Sequence, residues 1–92
     1  MDMTTKLLLL KQDVGILSNA KDDYLEHLLS QSKQMMEREG IVEEDTDEFH
    51  GLNIQYAAYL FRKRAGTDTA MPKYLRWGLN NLLFSQKGRT EQ

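Results

Sequence analysis

Apolar side chains recur at helical spacing in four stretches of the chain, separated by glycine or proline. No stretch alternates apolar and polar residues as a half-buried strand does, and no hairpin turn signal is present. The first predicted helix covers about residues 5–15, with Thr4 or Thr5 as its N-terminal cap. Its core stripe consists of Leu7, Leu10 and Val14.

The second predicted helix covers about residues 21–39. Asn19 or Asp22 can cap its free amide groups, and Gly40 stands where a left-handed C-terminal cap belongs. The acidic residues of its first turn suit the positive end of the helix dipole. Its apolar stripe consists of Tyr24, Leu25, Leu28, Leu29, Met35 and Met36.

The third predicted helix starts near Asp47 and ends before Gly66. It is apolar on much of its circumference, so we expect it to be the central helix. Its two stripes are Leu52, Tyr56, Tyr59 and Leu60, and Ile54, Ala58 and Phe61. The fourth predicted helix begins at Met71 and Pro72 and ends near Gln86, and residues 87–92 are predicted to form a flexible polar tail. The core stripe of this helix consists of Leu75, Leu79 and Leu82.

The pattern therefore predicts one all-α domain over residues 1–92. We expect a small bundle of about four helices, in which two long antiparallel helices pack with a short N-terminal and a C-terminal helix. With 92 residues the chain is long enough for a single modest core.

The fourth helix has a second apolar face. Trp77 and Phe84 lie about 180° from its core stripe, and Asn81 lies between them on the same face. This face either packs against the first helix or the tail, or it docks onto a partner or a neighbouring subunit, since tryptophan and phenylalanine are enriched in interface cores.

Charge is distributed unevenly between the two halves of the chain. Residues 1–50 carry twelve acidic and five basic residues, a net charge of −7, whereas residues 51–92 carry two acidic and seven basic ones, a net charge of +5. The split has three interpretations: two solvated faces, a head-to-tail contact between subunits, or a basic patch for nucleic acid. A subunit contact would pair an acidic side with a basic side. The acidic side is Glu43, Glu44, Asp45, Asp47 and Glu48, and the basic side is Arg62, Lys63, Arg64, Lys73 and Arg76.

Candidate chemistry is sparse. The absence of cysteine excludes disulfides, thiolate zinc sites and cysteine nucleophiles. His27 and His50 do not form a metal-binding spacing, and residues 43–51 do not fit a calcium loop. The apolar run at residues 7–10 is too short for a signal peptide or a membrane span. We therefore expect a cytoplasmic protein that is not an enzyme and that needs no metal or cofactor.

Three segments resemble the head–tail connector proteins of long-tailed phages and prophages, also called head-completion or adaptor proteins. The resemblance spans about residues 5–87, and the order of the segments carries it. The first segment, Asp22-Asp23-Tyr24-Leu25-Glu26-His27-Leu28-Leu29, follows a short leading helix. The second is Tyr56-Ala57-Ala58-Tyr59-Leu60-Phe61-Arg62-Lys63-Arg64. The third is the closing helix from Met71-Pro72-Lys73 to Ser85-Gln86-Lys87.

The resemblance implies a structural role without bond chemistry. It implies an oligomeric ring, usually of twelve copies, that binds the portal protein in the neck of the virion and extends the DNA channel. DNA would pass through without sequence-specific binding, the stopper or tail-completion protein would bind on the other side, and assembly would take place in the host cytoplasm. The alternative is a small helical DNA-binding regulator, with the third and fourth helices as a helix-turn-helix pair.

Overall fold

The computed structural model describes residues 1–66 and 70–90, which contain four α-helices and no strand. The helices are α1 (Met3–Val14), α2 (Asp22–Arg38), α3 (Asp47–Arg64) and α4 (Lys73–Thr90). The prediction of a small all-α bundle is confirmed, and the predicted bounds of α2 and α3 are within one or two residues of the observed ones.

Two of the predicted N-terminal caps are wrong. The carboxylate of Asp2 caps α1 by accepting a hydrogen bond of 2.8 Å from the backbone N–H of Thr5, so neither Thr4 nor Thr5 is the cap. Lys21 precedes α2 without any side-chain cap, because the side chains of Asn19 and Asp22 both contact the ammonium of Lys11 instead.

Glycines are predicted to mark the C-terminal ends of α2 and α4. Gly40 adopts a φ of 98°, as predicted for a left-handed residue behind α2. Gly88 does not end α4, which begins at Lys73, just after Pro72, and continues to Thr90. Residues 87–90 of the predicted tail are therefore helical, and residues 91 and 92 lie outside the described part of the chain.

The third helix lies at the centre of the bundle, as its apolar circumference predicts. It packs against α1, α2 and α4, and ten of its eighteen residues are buried. The α2 and α3 helices are antiparallel, since Tyr24 lies beside Phe61 at one end and Ser32 bonds the backbone of Asn53 further along. Tyr24 is more exposed than its position on the stripe predicts, because it lies at the edge of this contact.

The core also contains a polar group that the apolar pattern does not predict. The Lys6 ammonium donates a hydrogen bond of 2.7 Å to Oδ1 of Asn53, and both side chains are buried. Asn53 Nδ2 donates to the Leu29 carbonyl (3.0 Å) and to Ser32 Oγ (2.6 Å). One polar cluster therefore joins α1, α2 and α3.

Candidate docking surface

Close packing on α3 positions α4. Leu75, Leu79 and Leu82 are fully buried, as the sequence predicts. At Gly78 the two helices approach so closely that a Cβ atom would lie 2.6 Å from Cδ2 of Leu52. Because Gly78 has no side chain, α4 can pack closely against α3 at this position.

Polar contacts at both ends of α4 fix its rotation. Arg76 binds the Glu39 carboxylate through both terminal nitrogens, at 2.6 and 3.3 Å, and this pairing raises the pKa of Arg76 above its usual value. Gln86 donates to the Val42 carbonyl (2.7 Å) and accepts from the Val42 N–H (2.8 Å). Since these contacts hold one side of the helix, the opposite side is presented in a defined orientation.

The presented side of α4 is apolar and exposed. We call Tyr74, Trp77, Asn81 and Phe84 the outer face of α4. Its three aromatic side chains are 60%, 64% and 67% exposed, and Asn81 is exposed between them. The structure thus excludes burial of Trp77 and Phe84 against α1 or residues 87–90.

Charged side chains border the outer face on both sides. On one side, a groove of about 260 Å³ runs between α3 and α4, and it contains the Asp47, Glu48 and Asn81 side chains. Lys73 and Lys87 lie about 80° and 120° away from Asn81 around the helix, on the other side of Trp77. None of these four charged groups forms an ion pair within residues 1–66 and 70–90.

Most of the predicted acidic side is paired within the chain. Glu43 binds Lys33 at 3.1 Å, and Glu44 binds Arg89 at 3.0 Å. Hydrogen bonds, chiefly from Gln86, lower the pKa of Glu44. These carboxylates therefore hold the loop between α2 and α3 in place, and among the predicted acidic residues Asp47 and Glu48 are without an ionic partner in the described structure.

Asp45 occupies a separate position in the same loop. Its Oδ1 lies 2.7 Å from Nε2 of His50 and 3.1 Å from the N-terminal ammonium of Met1. The hydrogen bond to His50 and the nearby ammonium lower the pKa of Asp45. The loop is therefore tied both to α3 and to the start of the chain.

Most of the predicted basic side is also occupied. Arg62 binds the side chain and the backbone carbonyl of Asp13, at 3.0 and 2.9 Å. Arg64 donates to Gln31 (2.6 Å), and the Lys63 ammonium lies 5.7 Å from the centre of the Tyr59 ring. With Arg76 paired to Glu39, Lys73 is the predicted basic residue whose side chain has no ion pair, hydrogen bond or ring contact among the described residues.

A second exposed apolar surface lies on α1, and the sequence reasoning missed it. A groove of about 610 Å³, which we call the α1 groove, is lined by Leu8, Lys11, Gln12, Gly15, Ile16, Leu17 and Asn19. Leu8 is 56% exposed and Leu17 is 97% exposed. The signal was present in the sequence, because Leu8 falls outside the stripe formed by Leu7, Leu10 and Val14.

The two histidines lie in different surroundings. His27 is exposed on α2, and His50 is buried against Asp45. In the part of the chain that the structure describes, no three His, Cys, Asp or Glu side chains cluster as metal ligands do. The described helices are also too short or too polar to cross a membrane.

Comparison with family models, with curated proteins and with solved structures found no match. The proposed function therefore rests on the exposed surfaces of the molecule.

Proposed function

We propose that this chain is a structural subunit of an oligomeric ring in the neck of a phage-like particle. The ring joins the portal protein to the tail or stopper protein and extends the DNA channel. One observation carries the proposal: the outer face of α4 exposes three large aromatic side chains. The resemblance to phage connector proteins is the reason for proposing the neck ring as the assembly in which this face takes part.

The size and surface of the chain support an assembly role. A contiguous exposed apolar patch on a small protein marks an interaction site more often than it marks a tolerated defect. The core of a 92-residue chain is modest, so binding to neighbouring copies adds to the stability of the folded state. A ring subunit acts through contacts alone, which matches the sparse chemistry of the described side chains.

Association with particles tests the proposal directly. An epitope-tagged copy is expressed in the native producer, particles are induced and purified, and this chain is quantified against the portal protein by mass spectrometry. We expect nearly equal copy numbers in DNA-filled particles. Absence of the chain from intact, DNA-filled particles would refute the proposal.

Variants of the outer face of α4 test whether this surface is needed for incorporation into particles. Trp77→Ala with Phe84→Ala should lower incorporation into particles, whereas the folded monomer should keep its helical circular dichroism because both side chains are exposed. Val42→Ala is the matched control, since Val42 is an exposed apolar residue outside this face. Equal incorporation of the double variant and the control would exclude the outer face as the docking surface.

One observation favours a second candidate, the DNA-binding regulator. Helix α4 contains four cationic residues and no acidic one. However, eight residues separate α3 from α4, whereas a helix-turn-helix connection has about three or four. Duplex binding at several salt concentrations tests this candidate, because a micromolar affinity that falls steeply with salt would support it over the ring.

A further inference from the structure

The chain carries two exposed apolar surfaces on different helices, and their shapes differ. The α1 groove is concave, whereas the outer face of α4 is a row of aromatic side chains projecting from a helix. We infer that the contact between subunits is heterologous: the outer face of α4 of one copy docks into the α1 groove of the next copy. This inference rests on the proposed ring.

Shape favours this arrangement over a two-fold dimer. A two-fold contact uses one surface that is complementary to itself, whereas a head-to-tail contact uses two different surfaces of each copy. Helix α1 packs on α2 and α3 while α4 packs on α3, so both surfaces remain open in the same molecule. Every copy can therefore contact two neighbours, as a ring requires.

The apolar area of α4 matches what a stable contact needs. Tyr74, Trp77 and Phe84 are each about two-thirds exposed, which leaves roughly 300–500 Å² of aromatic surface in total. A standard interface buries about 800 Å² on each partner, of which about 56–65% is apolar. The three aromatic side chains therefore account for most of the apolar centre of one such interface.

Charge favours this contact over the packing of two α4 helices on each other. Helix α4 contributes four cations and no acid, whereas the one charged residue that lines the α1 groove, Lys11, is paired with Asp22 at 3.0 Å. Two α4 helices packed on each other would both contribute cations. In the proposed contact, Lys73 and Lys87 can instead approach Asp23, and none of these three has an ion-pair partner within the described residues.

Disulfide crosslinking tests the pairing, because the chain contains no cysteine of its own. Gln12→Cys places a thiol in the α1 groove, Asn81→Cys places one in the outer face, and neither removes an apolar contact. After mild oxidation of an equimolar mixture, in purified form and in induced producer cells, we expect a dimer with one chain of each type. Each single variant alone should form no disulfide-linked dimer, and the chain with both substitutions should give a ladder of disulfide-linked multimers. Glu37→Cys, at an exposed position on α2, replaces Gln12→Cys as the control and should not crosslink to Asn81→Cys.

Fluorescence gives a second measurement, because Trp77 is the only tryptophan. Docking transfers its indole from water into an apolar groove, so its emission should shift to shorter wavelength as the protein concentration rises. Leu17→Asp places a charge in the α1 groove and should abolish the shift, whereas Val42→Asp, at an exposed position outside both surfaces, should leave it unchanged.

The outcomes separate this inference from the proposed function. Crosslinking of Asn81→Cys to itself would show a two-fold α4 contact and overturn the inference. Incorporation into particles at the portal copy number without any mixed crosslink would also overturn it, while the connector role would stand. Mixed crosslinks from a chain that is absent from DNA-filled particles would support the contact and refute the connector role.

Discussion

The buried contact between Lys6 and Asn53 provides the most informative test of the fold. Asn53→Ala removes the acceptor of the 2.7 Å hydrogen bond and leaves the Lys6 ammonium with the Phe49 ring, 5.7 Å away, but without that acceptor. A hydrogen bond to a charged group contributes about 1.5–3 kcal/mol, and the bonds that Asn53 donates to α2 add about 1 kcal/mol. We therefore expect Asn53→Ala to lower the free energy of unfolding by about 3 kcal/mol, a large part of the stability of a domain of this size. Urea denaturation followed by circular dichroism measures the change.

A double-mutant cycle separates the contact from its surroundings. Lys6→Met alone leaves the buried Asn53 Oδ1 unpaired and should cost about 1–3 kcal/mol. Lys6→Met combined with Asn53→Leu removes both polar partners, so its cost should be lower than the sum of the single Lys6→Met and Asn53→Leu costs by at least about 1 kcal/mol. Lys87→Met, at an exposed lysine, is the control and should change stability by less than about 0.5 kcal/mol. Additive single effects, within about 0.5 kcal/mol, would show that the two side chains do not stabilise each other.

Two further predictions concern the packing of α4 and the loop before α3. Gly78→Ala should lower the free energy of unfolding relative to Gly51→Ala by about 1–3 kcal/mol in urea denaturation, because the new methyl group contacts Leu52 only at position 78. Position 51 has open space, so Gly51→Ala should raise the free energy of unfolding by about 0.5–1 kcal/mol through helix propensity. Equal effects would contradict the close approach. The lowered pKa of Asp45 gives stability that is complete above about pH 4 and is lost as the pH falls through the folded-state pKa. Asp45→Asn should therefore reduce the acid dependence of the melting temperature, and an unchanged pH profile would show that the contacts of Asp45 with His50 and with the N-terminal ammonium do not affect stability.

The sequence predicts the helices well because their signals are local. The stripes of α3 and α4 follow from helical periodicity, and Gly40 follows from the preference of left-handed backbone for glycine. The caps of α1 and α2 fail because several adjacent residues can cap, and tertiary contacts choose among them. Lys11, for example, recruits both Asn19 and Asp22, which leaves α2 without a side-chain cap.

The candidate site is predictable in its apolar part and not in its charged part. Trp77 and Phe84 lie opposite the core stripe of one helix, so periodicity alone identifies them as a second apolar face, and the structure shows that neither α1 nor residues 87–90 cover it. The ionic partners of Arg62 and Arg76, in contrast, are Asp13 and Glu39, which are distant in sequence and meet only in the folded chain. A charge count along the sequence therefore overstates the charge available for contacts between molecules.

Helix α1 links the polar core to the proposed contact, because its buried side includes two lysines and its exposed side includes a leucine. Lys6 and Lys11 are buried beside Leu7 and Leu10, whereas Leu8 is exposed. A buried lysine needs a specific oxygen partner, while a leucine can pack in several rotations of the helix, so the bonds to Asn53 and Asn19 fix which side of α1 faces outward. If the exposed leucines serve assembly, stability and assembly can be separated. The Lys6→Met, Asn53→Leu chain should lose less stability than the two single variants together but should lose the defined rotation of α1, and its Gln12→Cys derivative should crosslink to Asn81→Cys less than the parent does. Undiminished crosslinking in that background would show that the polar cluster does not orient the α1 groove.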